Sequence, residues 1–209
     1  MSVLDKLASS LGVRNEVPNQ LLAKEIIKKN DKNAVKELVE NLSNKNKNIQ
    51  SDCIKTLYEI GEQRSELIAD HYKEFIKLLS DKNNRLVWGA MTAVDTITLH
   101  HPKEIYNSLP LLINIADKGS VITIDHLVNI LIKLGSLKQY SNDVFPLLFE
   151  QLKKAPTNQL PAYAEKSMSL ISEKNKAVFI KILSSRLDEI EKETKRNRVE
   201  KVIKKLSIK

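Results

Sequence analysis

The sequence predicts an all-α solenoid, a stack of about five helical hairpins preceded by a helical cap. Three observations predict it. Gly (5) and Pro (6) are scarce among 209 residues, and strand-rich folds need the turns those residues make. Apolar residues recur at helical spacing, most clearly in residues 75–99. That stretch presents Phe75, Ile76 and Leu79, a polar turn Ser80-Asp81-Lys82-Asn83-Asn84, then Leu86, Ala90, Ala93, Val94 and Ile97. Finally, the apolar positions repeat under a shift of 37 residues, the mark of a repeat array.

Taken in order, residues 1–30 are expected to form a cap over the end of the stack. Residues 3–11 stop at Gly12, and Pro18 suits the first turn of a helix carrying Leu21, Leu22, Ile26 and Ile27. Helical pairs are expected at 31–61, 67–99, 102–135, 142–172 and 176–206, all within one domain, 1–209. In the first helices Val35, Tyr72 and Leu109 align, as do Leu38, Phe75 and Leu112, then Leu42, Leu79 and Ala116. In the second helices the rows are Cys53, Ala90, Leu127; Ile54, Met91, Val128; Leu57, Val94, Leu131; and Ile60, Ile97, Leu134. One row fails in polarity, because Ile49 and Leu86 meet Thr123. Gly61 and Gly135 are expected to stop their helices. The fourth pair follows at a shift of 36 in its first helix, with Pro146, Leu148, Phe149 and Leu152. The fifth places Val178, Phe179, Ile182, Leu183 and Leu187 on one helix and Val199, Val202, Ile203 and Leu206 on the last.

Helical pairs at this period resemble HEAT repeats of the HEAT/armadillo superfamily. The closest match is the Asp81 turn followed by Leu86, Ala90, Ala93 and Val94, and Pro110 and Pro146 resemble the proline of HEAT outer helices. The resemblance implies a right-handed α-α superhelix whose second helices line a groove, and it implies architecture rather than a particular job. The Arg that usually opens the inner helix is replaced by Gln50, Val87 and Ile124.

In such a stack each unit buries its apolar faces against its neighbours, leaving one stripe of each second helix for partners. At about 100° per residue, Trp88 and Asp95 fall opposite the apolar stripe of their helix, flanked by Met91 and Thr92. The repeat extends this into rows Ser51, Trp88, Asp125, Ala162; Lys55, Thr92, Asn129, Lys166; and Tyr58, Asp95, Ile132, Ser169. The candidate partner-binding residues are therefore Lys55, Tyr58, Trp88, Met91, Thr92, Asp95, Asp125, Asn129 and Lys166. Mixed charge beside an aromatic suits a protein or peptide partner, and an ordinary solvated helix face is the plain alternative.

The formal net charge is +8. Residues 194–209 hold seven basic residues and one acid, a net of +6, which leaves +2 for residues 1–193. A phosphate-binding groove should be basic along its length, whereas this chain is basic mainly at one end. Lys195, Arg196, Arg198, Lys201, Lys204 and Lys205 are the candidate anion-binding set, on an amphipathic helix that equally suits a solvated terminal helix.

Catalytic signals are weak, and no cofactor or metal is expected. There is no Gly-rich phosphate loop, HExxH, paired-Cys motif or nucleophile elbow. His100-His101 with Glu104 reads as a surface turn before Pro102. Asp125-His126 diverge by about 100° on one helix and form no dyad. Cys53, in an apolar row, reads as a buried, inert thiol. Trp88 with Asp95 superficially resembles the pair in HEAT-like alkylpurine DNA glycosylases of the AlkD type, but the paired arginines that follow the tryptophan there are absent. A nucleic-acid-binding or DNA-repair role using that pair and the basic end is the alternative to a non-enzymatic protein-binding scaffold. With one Cys, no apolar run of membrane-spanning length and no secretory leader, a reduced cytoplasmic protein is expected.

Overall fold

The computed structural model describes residues 2–208. Lys209, counted above in the basic tail, and Met1 lie outside the described residues. Twelve α-helices joined by short 3-10 turns, and no strand, make up the described residues. The chain divides into two compact units, Met1–Leu127 and Val128–Lys209.

The N-terminal unit holds α1 (Val17–Lys29), α2 (Lys32–Glu40), α3 (Lys47–Arg64), α4 (Tyr72–Leu78), α5 (Asn84–Ile97), α6 (Pro102–Asn107) and α7 (Leu109–Lys118). It also holds the first half of α8 (Val121–Gly135). Local chemistry sets the helix ends. Asp31 accepts a hydrogen bond from Ala34 N at 3.0 Å to open α2. Asn46 and Asn83 open α3 and α5 by accepting from Asn48 N and Arg85 N. Asn30, at φ 51°, closes α1 in the left-handed conformation. α1, α3 and α5 lie side by side in one layer, while α2 packs on α3 and α4 on α5.

The core follows the repeat rows. Leu38, Phe75 and Leu112 are fully buried, as are Leu57, Val94, Cys53, Ala90 and Leu127. The polar exception, Thr123, is fully buried too and donates its hydroxyl to Ser120 O at 2.7 Å, so it fills the row at no hydrogen-bond cost. Three expectations need correction. Residues 3–11 form only a short 3-10 helix, Val3–Lys6, before Gly12 turns the chain at φ +68°. Gly61 does not stop α3 but sits inside it. A Cβ there would lie 2.5 Å from Thr96 Oγ1 and 2.6 Å from Ile68 Cδ1, so the glycine serves close packing. Pro110 opens α7 rather than bending a helix interior.

The C-terminal unit holds the rest of α8, then α9 (Lys138–Lys154), α10 (Leu160–Ser167), α11 (Lys176–Ser185) and α12 (Glu193–Ser207). α12 packs on α10 and α11, and α9 packs on α10 and α11. The buried Arg186 ties this unit together: it donates to Leu152 O at 2.9 Å and Ala155 O at 2.7 Å, closing the end of α9, and pairs with Glu189. Pro146 lies inside α9 on its exposed side. Of the apolar residues expected on this helix, Val178 is 51% exposed, while Phe179, Ile182 and Leu183 are buried.

Two outcomes are expected. A Cβ on Gly89 would meet Ile54 Cγ1 at 2.5 Å and Cγ2 at 3.0 Å, atoms close to a stiff backbone rather than a flexible tip. Gly89→Ala should therefore lower stability by about 1–3 kcal/mol in urea unfolding, overpacking outweighing the roughly 1 kcal/mol gain in helix propensity. Burial pushes the Cys53 thiol up to about 12, so a thiol-reactive dye should label it only after denaturant unfolds the chain.

Candidate functional site

A groove runs over the N-terminal unit, with a volume of about 670 Å³. Its floor is the α3–α5 contact, where Ile54 meets Gly89. One wall carries Ser51, Lys55 and Tyr58 from α3, the other Trp88 and Thr92 from α5, and residues 8–16 close one side. That segment is fixed by hydrogen bonds. Asp52 accepts from Asn19 Nδ2 at 2.7 Å and from Ser9 N at 2.8 Å, and Asn19 accepts from Ala8 N at 2.9 Å. Glu25 bridges Lys29 on its own helix and Lys6 of the 3-10 helix just before that segment, and those two ammonium groups hold its carboxyl at about 2.

Lys55 is almost wholly covered. It lies 2.8 Å from Glu16 and 2.7 Å from Glu59, and its ammonium sits 4.7 Å from the centre of the Tyr58 ring. Burial disfavours its charge, but the two carboxylates outweigh burial and hold its pKa above the ordinary lysine value. Burial likewise pushes the Tyr58 phenol up. Trp88 is half-buried.

The expected residues therefore part company. Lys55, Tyr58, Trp88 and Thr92 come together in the groove. Met91 does not: it is fully buried in the row of Ile54, because it points to the core side of α5. Thr92 and Asp95 are each only 6% exposed, and both serve a tie between helices. His126 of α8 places Nδ1 2.8 Å from Asp95 Oδ2 and Nε2 2.9 Å from Thr92 Oγ1. Asp125, the sequence neighbour, is half-buried. In the C-terminal unit Lys166 donates to Asn129 Oδ1 at 2.9 Å.

The sequence reading missed the Asp95–His126 pair because it compared residues a full repeat apart. Contacts between neighbouring helices also join positions offset from the repeat by nearly two turns, as in this 31-residue separation. The order carboxylate, imidazole, hydroxyl is that of a hydrolase triad. Here, however, the Thr92 hydroxyl is also 3.0 Å from the Trp88 carbonyl of its own helix, a back-bond inside α5. The pair Trp88 and Asp95 likewise offers no exposed carboxylate beside the indole, so nothing supports the DNA-repair reading.

The other candidates lie apart. His100 reaches Ser65 Oγ at 2.9 Å, whereas His101 stacks on Tyr72. No group of three or more His, Cys, Asp or Glu is placed to hold a metal among the described residues. Of the basic set on α12, Arg198 grips Glu165 with two hydrogen bonds of 2.8 and 2.6 Å and holds that carboxyl below its ordinary range. Arg196 pairs with Asp188 and donates to Leu187 O, and Lys195 donates to Asn158. Lys201, Lys204 and Lys205 are exposed.

The buried tie gives a measurable expectation. Asp95→Ala strips the acceptor from His126 and should cost about 1–3 kcal/mol in thermal or urea unfolding, whereas Asp95→Asn, which keeps an oxygen there, should cost less.

No described helix is long and apolar enough to cross a membrane. No family model matches the chain, and no curated protein matches it by sequence. Solved structures do. A designed armadillo repeat protein superposes with a TM-score of 0.66 at 15% identity, covering 97% of this chain and 99% of its own. One engineered protein superposes with a TM-score of 0.62 at 17% identity, covering 99% of this chain and 98% of that one. Another does so at 0.63 and 16%, covering 98% of this chain and 100% of that one. Helix content, repeat rows and these likenesses agree: the chain has the all-α, HEAT/armadillo-like helical-repeat solenoid fold.

Proposed function

We propose that the chain is a non-enzymatic repeat scaffold that holds an extended protein segment in the groove between α3 and α5. The observation that carries this reading is the half-buried Trp88 in the wall of that groove. A tryptophan with one face covered and the other turned to an open hollow loses little entropy on binding and has apolar area left to bury, and such residues dominate interface energies. The groove volume falls in the range that accepts ligand-sized groups. Its walls are helices and its side is a segment held by the Asp52 and Asn19 hydrogen bonds, so little ordering is left to be done on binding. Lys55, Tyr58 and Thr92 are the contacts beside Trp88; His126, held by Asp95, meets Thr92 from behind.

The test uses the only Trp in the chain. A random-peptide display library is selected against the full chain, and enriched peptides are titrated while the indole emission is followed. Binding in the groove should shift the emission to shorter wavelength and protect it from iodide. Trp88→Ala should weaken the same peptides at least about tenfold, as for a residue at the centre of an interface. Peptides that bind without touching the emission and survive Trp88→Ala would place the binding surface elsewhere.

A further inference from the structure

Resting on that reading, we infer that the segment held in the groove is acidic on the side that lies over the turns preceding α3 and α5. The groove opens at that side into a second hollow of about 890 Å³, sharing with it Asn48, Ser51 and Arg85. Lys45, Lys47, Lys82 and Arg85 line this hollow, and all four are exposed. Among its lining residues the one acid is Asp81, whose carboxylate already accepts from Asn83 N at 2.7 Å. Arg14 adds a fifth exposed cation from the N-terminal wall of the groove. No side chain among these five has a hydrogen-bond or ion-pair partner within the chain, among the described residues.

The acids of the groove are matched by contrast. Glu16 pairs with Lys55, and Asp52 is held by Asn19 and Ser9. What the surface lacks is therefore negative charge, and it lacks it at one end. An apolar side chain against Trp88 followed by carboxylates over Lys45, Lys82 and Arg85 satisfies both ends. A nucleic acid fits less well. Its phosphates recur at every nucleotide, so a strand whose base stacked on Trp88 would carry charge past Glu16 and Asp52 as well. Each exposed ion pair alone contributes about 0–1 kcal/mol. Selection for acids therefore comes from several cations acting together, through encounter rate and orientation.

The experiment compares the full chain with Trp88→Ala and with the triple variant Lys45→Glu, Lys82→Glu, Arg85→Glu, all three confirmed helical by circular dichroism. Random-peptide display is run on each, and an enriched peptide, its Glu/Asp-to-Gln counterpart, its Glu/Asp-to-Lys counterpart and an oligodeoxythymidylate are titrated by fluorescence anisotropy. Enrichment of acid-rich peptides on the native chain is expected. Their affinity should fall at least about tenfold on the triple variant and with the Gln counterpart, and the Lys counterpart should regain binding on the triple variant. Peptides that need Trp88 yet bind the triple variant unchanged would overturn the acidic partner and leave the groove reading standing. Peptides indifferent to Trp88 would sink the groove itself, and the acidic partner with it. Tighter binding of oligodeoxythymidylate than of any peptide, lost in the triple variant, would overturn the acidic peptide in favour of a phosphate chain.

Discussion

The N-terminal unit depends on how closely α5 can approach α3. Helix axes normally stand about 8–10 Å apart because side chains fill the space between them. At Gly89 there is no side chain, and Ile54 occupies the place where a Cβ would be. Gly61 does the same one contact further along, against Thr96. These two glycines are placed where each helix would otherwise hold its neighbour off, and they offset part of glycine's helix cost through tighter burial. The approach sets the register that brings Ser51 and Lys55 beside Trp88 and Thr92, so the groove floor and its walls follow from one steric allowance.

The third side of the groove has a different origin. Residues 8–16 have little regular structure to hold them, and Gly12 turns the chain through a left-handed conformation open to few residues. Polar groups fix them instead. Asp52 spends both carboxylate oxygens on this segment and α1, and Lys55 adds an ion pair to Glu16. Buried or half-buried charges of this kind contribute little to net stability but specify position, since leaving any one of them unmatched is costly. A wall so held is a fixed surface for a partner, and its exposed Leu11 and Val13 sit on a frame that does not need to be built on binding.

Much of the fold was legible because a repeat states its core several times. The row Leu57, Val94, Leu131 is buried at all three positions, and Thr123 is buried like Leu86 of its row despite its polarity. The errors came where one criterion was read without another. Helical-wheel angle put Met91 beside Trp88 on the groove, yet the repeat had already aligned it with Ile54 and Val128, and the repeat was right. Gly61 looks like a stop signal in one dimension and is a packing contact in three. Asp95 and His126 meet because adjacent helices are offset along their axes, which a fixed shift of 37 cannot express.

Charge shows the same gap between sequence and surface most sharply. Counting residues puts most of the net charge on the last helix, yet three of the six candidate cations there are held by neighbours, Arg198 by both oxygens of Glu165. The turns before α3 and α5 attract no notice in a charge count, because Lys45, Lys47, Lys82 and Arg85 come from two segments more than thirty residues apart. The repeat brings those turns side by side, and the asparagines that cap both helices leave no carboxylate there to quench them except Asp81. Helix capping by Asn rather than Asp is therefore part of the electrostatics of this surface. A neutral cap satisfies the helix end equally well and leaves the cations beside it available to a partner.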